Sequence, residues 1–218
     1  LARHERVRVK ICGITRAEDA LVAARLGTEM LGLNFVPSSK RYVTVTAARA
    51  VMEALEVEGL QVEWVGVVAD MSVTDLVALR RASGVHCLQL HGHEPPEVLT
   101  RLFELDPAAH YQALRIGDQS DIASAAVFPG ERLLVDAKAD GALGGSGHRF
   151  DWTLAKPLAQ TRALLLAGGL TPMNVAQAAL QVRPWAVDVA SGVESAPGVK
   201  DPAKMATFVQ EVHRISVG

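Results

Sequence analysis

Eight short apolar runs, each followed by a stretch of helical periodicity, restrict this chain more than any single motif. They cover residues 7–12, 30–35, 62–69, 85–90, 111–116, 132–135, 164–167 and 186–189. Strands separated by helices must run parallel, because a tight hairpin joins only antiparallel neighbours. About eight such units close into a barrel. The competing open, doubly wound sheet would carry its glycine fingerprint at the first strand turn, where CGIT stands instead of G-x-G-x-x-G. The expected fold is therefore α/β, a single-domain (β/α)8 TIM barrel with parallel strands over residues 1–218. That length is near the lower end for a complete barrel, and 49% hydrophobic residues supply its core.

Local signals place several helix starts. Thr15-Arg16-Ala17-Glu18 reads as a capping box, Ser72 caps a helix with Asp75 three residues on, and Pro95-Pro96 opens another. Thr171-Pro172 reads as N-cap and first helical residue.

A formal net charge of −2 and the lack of a Lys/Arg run argue against nucleic acid as a partner. No apolar stretch reaches membrane-spanning length, and LARHERVRVK lacks a signal-peptide core, so no membrane partner and a cytoplasmic protein are expected. Cys12 and Cys87 are too few for a disulfide framework and form no C-x-x-C pair.

Two successive strands end in glycine turns, Gly168-Gly169 followed by Leu170, and Ser191-Gly192. Glycines let backbone amides approach and face an anion, and paired turns after strands 7 and 8 are where a barrel of this kind holds phosphate. An isolated Gly-Gly would be only a tight turn.

The chemistry of such a barrel lies at the C-terminal ends of its strands, which makes Cys12, Asp70, His91, Asp136 and Ser191 candidates. Cys12 is either a packed small hydrophobe or a thiol whose ionisation is favoured by amides at the glycine turn and helix start that follow. Asp136 is either a loop cap or an acid. Together they could supply base and acid around a substrate held by its phosphate. Lys40-Arg41 is either surface charge or, through the arginine fork, a carboxylate clamp. His91-Gly92-His93 raises a zinc question, but a polar loop with one inward histidine is the better reading, and no metal site is assigned. Asp70 reads as a turn residue and Cys87 as core. The connection over 136–150, rich in glycine at Gly144, Gly145 and Gly147, reads as a loop that closes over substrate.

In order along the chain, VKICGIT, GLNFVPSSKRYV, LQLHG, LLVDAK, GGSGHRFDW, AGGL and VDVASGVE resemble the segments of the phosphoribosylanthranilate isomerase family. The resemblance covers almost the whole chain. It implies a barrel without metal or organic cofactor, acting as monomer or homodimer on a small-molecule phosphoribosyl substrate. The implied reaction converts N-(5-phosphoribosyl)anthranilate to its 1-deoxyribulose 5-phosphate isomer by an Amadori rearrangement in tryptophan biosynthesis. It implies Cys12 as general base, Asp136 as general acid, Arg41 as the clamp on the anthranilate carboxylate, and Gly168, Gly169, Leu170, Ser191 and Gly192 as phosphate ligands through backbone amides. Ala167 stands where the family often has serine. The rivals are the histidine-pathway aminoaldose isomerase, which uses an aspartate where Cys12 stands, a non-catalytic phosphosugar-binding barrel, and a metal-dependent hydrolase.

Overall fold

The computed structural model describes residues 6–116, 119–137 and 152–215. Eight parallel strands form a closed barrel: β1 (Arg8–Cys12), β2 (Met30–Asn34), β3 (Glu63–Val68), β4 (Cys87–Leu90), β5 (His110–Ile116), β6 (Arg132–Ala137), β7 (Ala163–Ala167) and β8 (Ala186–Val189). Closure comes from β1 pairing with β8, with Lys10 opposite Asp188 and Ile11 opposite Val189. The helices α1 (Ala17–Arg25), α2 (Val45–Val57), α3 (Val73–Ser83), α4 (Pro96–Leu105), α5 (Gln119–Ser124), α6 (Lys156–Thr161), α7 (Val175–Val182) and α8 (Pro202–Ile215) follow the strands in turn. Among the described residues, no helix is long and apolar enough to cross a membrane.

The period of two along each strand divides the apolar residues into two layers. Val9 and Ile11, Leu88 and Leu90, Leu133 and Val135, and Leu164 and Leu166 face the helices in one large cluster. The intervening set, including Cys87, Tyr111, Leu134, Leu165 and Ala186, fills the barrel interior. Helix α2 shows the outer layer in miniature: Ala48, Val51, Met52 and Leu55 are its buried residues, at helical spacing. Fully burying a side chain such as Leu55 contributes about 1.5–3 kcal/mol, so Leu55→Ala removes that and opens a cavity. Thr44 caps α2 by accepting from Ala47 N at 3.1 Å.

The expected strands are all present, with ends shifted by at most two residues. Ser72 caps α3 by accepting from Asp75 N, and Pro96 is the first residue of α4. Two helix starts differ from expectation. The N-cap of α1 is Arg16, which makes no side-chain cap bond, because the Thr15 hydroxyl donates instead to the Gly198 carbonyl at 2.5 Å. Helix α7 begins at Val175 rather than at Pro172, because residues 172–174 form a turn in which Asn174 Oδ1 accepts from Thr171 N at 2.8 Å. Beyond the eight units, β9 (Glu194–Ala196) and β10 (Val199–Lys200) form an antiparallel pair that the sequence reading did not contain.

Candidate active site

At the C-terminal ends of the strands lies a cavity of about 500 Å³. Cys12, Arg41, Asp136, the turn at Gly168, Gly169 and Leu170, and the turn at Ser191 and Gly192 all line it. Strand ends that are far apart in sequence meet here because barrel closure arranges them around one rim.

Cys12 is the last residue of β1 and is 8% exposed. Its partner in register is Gly32, where an added Cβ would stand 2.7 Å from the Cys12 sulfur, so the missing side chain on β2 makes room for the thiol. Burial, the largest influence, pushes the thiol above its ordinary value; the Lys10 and Lys200 ammonium groups pull it down and Asp188 pushes it up. The groups that favour its ionised form are buried lysines.

Asp136 lies on β6 between Arg115 of β5 and Ala167 of β7, and its side chain is 32% exposed. One oxygen is 3.5 Å from His91 Nε2. Arg115 also lines the cavity.

The two glycine turns are in direct contact. A Cβ on Gly192 would collide with the Leu170 carbonyl, so only glycine lets the turns approach this closely. Gly168 and Gly169 have φ of 91° and 62°, the left-handed region that glycine enters without strain. A Cβ on Gly169 would meet nothing within 4 Å, which leaves open space above this turn. Ser191 begins a single turn of 3-10 helix ending at Val193.

Arg41 lies over Gly13, whose Cβ would run into the arginine side chain. Its fork is engaged: Nε and one terminal nitrogen donate to the two oxygens of Glu194, each at 2.7 Å. That bond raises the Arg41 pKa further. Lys40, by contrast, is exposed. His91 and His93 diverge: His91 turns toward Asp136, whereas His93 is almost fully exposed, its backbone N–H donating to Asp70 Oδ1. Asp70 is the expected turn residue, with φ of 55°. Cys87 is core, as expected, and burial pushes its thiol up to about 12. The expected closing loop, with Gly144, Gly145 and Gly147, lies outside the described residues.

A family profile described as N-(5'phosphoribosyl)anthranilate (PRA) isomerase matches residues 9–211. The chain belongs to the phosphoribosylanthranilate isomerase family. It is 43% identical over 209 residues to the N-(5'-phosphoribosyl)anthranilate isomerase of Pseudomonas syringae pv. tomato, covering 95% of this chain and 98% of that one. The crystal structure of phosphoribosyl anthranilate isomerase from Thermotoga maritima aligns with a TM-score of 0.82 at 38% identity, over 94% of this chain and 98% of the other. A phosphoribosyl anthranilate isomerase in complex with reduced 1-(o-carboxyphenylamino)-1-deoxyribulose 5-phosphate aligns with a TM-score of 0.80 at 35% identity, over 94% and 98% of the two chains.

Around the residues anticipated from the family motifs, this family member carries two charged clusters that sequence reasoning missed. Inside the barrel, Lys10 Nζ donates to Asp188 Oδ1 at 3.1 Å and to Gln89 Oε1 at 2.8 Å. Burial, the largest single influence, works against the ammonium, but Asp188 together with Cys12 and Tyr111 outweighs it and the Lys10 pKa is raised. Beside the rim, Lys200 Nζ donates to the carbonyls of Cys12 and Ala190 and to Glu194, tying β10 to β1 and β8. Glu194 is thus shared between Arg41 and Lys200; burial works to raise its pKa, and the two cations hold it below the ordinary carboxylate value. Alternation in VRVKIC puts Lys10 on the same face as Cys12, two residues apart, and was the signal available in the sequence. Nothing local in VESAPGVKD marks Glu194 and Lys200 as partners of Arg41.

Proposed function

We propose that this chain, as a member of its family, isomerises N-(5-phosphoribosyl)anthranilate to the 1-deoxyribulose 5-phosphate derivative, with Asp136 as general acid and Cys12 as general base. Asp136 gives a proton to the ribose ring oxygen, and the ring opens to a Schiff base. The iminium acidifies C2′, and the Cys12 thiolate takes that proton to leave an enolamine. Tautomerisation to the ketone completes the reaction. Holding both groups at one bound substrate turns two proton transfers into local steps. The observation that carries the reading is that one cavity is lined at once by Cys12, Asp136 and both glycine turns.

In this reading the amides of Gly168, Gly169, Leu170, Ser191 and Gly192 receive the phosphate. Arg41 faces the anthranilate carboxylate with the guanidinium edge that Glu194 leaves open, so Glu194 orients the clamp.

The test is to mix purified, chelator-treated protein with freshly generated phosphoribosylanthranilate and follow the loss of anthranilate fluorescence. Loss at an enzymatic rate supports the activity. No loss with folded protein overturns it.

A further inference from the structure

A polar chain runs across the barrel interior from the base side to the acid side. Lys10, Gln89 and Tyr111 are at most 1% exposed. Gln89 Oε1 accepts from Lys10 Nζ at 2.8 Å and from the Tyr111 hydroxyl at 3.0 Å. Gln89 Nε2 is 2.9 Å from His91 Nδ1, and His91 Nε2 is 3.5 Å from Asp136 Oδ2. Gln89 and His91 are two residues apart along the end of β4, and His91 N donates to the Val68 carbonyl at 2.8 Å, which anchors the ring's backbone.

The chemistry of these partners fixes the direction of every proton in the chain. An ammonium has only donors, so the Gln89 atom facing Lys10 must be the carbonyl oxygen. The Gln89 amide nitrogen therefore faces His91 and donates. His91 Nδ1 must then present a lone pair, which leaves the ring proton on Nε2, toward Asp136. Protonating Nδ1 would set donor against donor, and flipping the Gln89 amide would set its NH2 against the Lys10 ammonium. Both alternatives leave a buried polar group without a partner, which is costly.

We infer that Lys10, acting through Gln89, locks His91 in the neutral Nε2–H form, and that His91 is a positioning residue that aims a hydrogen-bond donor at Asp136. This rests on the reading of Asp136 as the general acid. When Asp136 releases its proton to the ring oxygen, a carboxylate forms at the mouth, and the fixed N–H meets that developing charge without reorganisation. The assistance requires the 3.5 Å separation, too long for a formed hydrogen bond, to shorten when substrate binds. Lys10, which also pulls the Cys12 thiol toward its ionised form, thus serves both ends of the reaction.

Nitrogen-15 NMR on histidine-labelled enzyme reads the lock directly, with the His91 signal assigned by its loss in His91→Gln. The expected result is a proton on Nε2 and none on Nδ1, and in Gln89→Glu a proton on Nδ1, because the new carboxylate oxygen accepts there. A wild-type ring carrying its proton on Nδ1 would overturn the lock. Turnover reads the assistance without relying on a buried substitution. A hydrogen bond to a charged group is worth roughly a 10- to 100-fold change, so His91→Ala should lose kcat by that order with KM little changed. His91→Gln, whose amide can put an N–H near the Nε2 position, should recover most of the loss. Wild-type kcat in His91→Ala, or equal impairment in both variants, would overturn the assistance. Wild-type turnover in Asp136→Asn would instead overturn the acid assignment on which it rests, while the NMR signal would still report the lock.

Discussion

The two sides of the cavity are built to different standards. On the β1 side, Cys12 is enclosed: Gly32 leaves space for its sulfur, the Lys200 ammonium bonds its carbonyl, and the Lys10–Asp188 pair lies two residues below it. On the β6 side, Asp136 is one-third exposed and faces His91 at 3.5 Å. A base that must be ionised inside a low-dielectric wall needs permanent charges around it, because burial alone opposes the thiolate. An acid that must deliver a proton to the substrate needs reach, and a looser setting at the mouth supplies it. Under the proposed roles, the difference teaches that the base is held by the fold, whereas the acid keeps the freedom to meet its ligand.

The largest test of this contrast removes each group in turn. Acid-base assistance is typically worth ~10²- to 10⁴-fold, so Cys12→Ser and Asp136→Asn should each lower kcat by at least that order in steady-state assays. Iodoacetamide should alkylate Cys12 faster than Cys87, which is 1% exposed within the barrel, and a bound substrate analogue should protect only Cys12. Near-normal turnover in Cys12→Ser would return this residue to a packing role.

Next in size is Lys10→Met, which leaves Asp188 buried without its cation. Breaking a buried pair by removing one partner costs about 3–5 kcal/mol, read from chemical denaturation. The same variant loses a charge that lowers the Cys12 pKa, so the pH at which Cys12 becomes reactive to alkylation should move upward. His91→Ala, on the open side, should cost far less stability. Equal losses in the two variants would erase the contrast between the walls.

Ser191→Asp tests the proposed phosphate end. Ser191 is exposed, so the fold should tolerate the change, while a carboxylate beside an incoming phosphate should raise KM by roughly tenfold or more, about 1.4 kcal/mol per factor of ten. An unchanged KM would place the phosphate elsewhere. Gly192 is the poorer probe, because any side chain there collides with the Leu170 carbonyl.

An effect confined to alkaline pH belongs to Cys87, whose thiol is raised from 9.0 to about 12. Above pH 9 the unfolded chain loses this proton while the folded one keeps it, so stability falls as pH rises through that window. The slope is at most about 1.4 kcal/mol per pH unit. Cys87→Ala should flatten the alkaline part of the stability profile by that amount, measured by denaturation between pH 9 and 11.

Much of this molecule was legible in the chain because its signals are local. Alternation and helical period are written within ten or so residues, so the eight strands, their parallel order and the strand-end positions of Cys12 and Asp136 followed without coordinates. The glycine turns after β7 and β8 were legible for the same reason, since the backbone conformation at Gly168 and Gly169 is a property of the residues themselves. The failures at Thr15 and Thr171 have the opposite cause: the Thr15 hydroxyl is claimed by the distant Gly198 carbonyl, and at Thr171 the backbone N–H donates to the Asn174 side chain while the hydroxyl accepts from Met173 N, so a turn stands where the first helical residues were expected.

What only the tertiary structure decided is which charges meet. Lys10 bonds Asp188 across 178 positions, and Arg41 bonds Glu194 across 153. Barrel closure, with β1 beside β8, brings the first pair together, and the β9–β10 excursion brings the second. Electrostatic energy depends on separation in space and on the dielectric between charges, neither of which is written in sequence spacing. The sequence by itself therefore determined the barrel and where its chemistry would sit. The charges around Cys12, the engagement of Arg41 and the partners of Gln89 and His91 were decided only when the chain closed on itself.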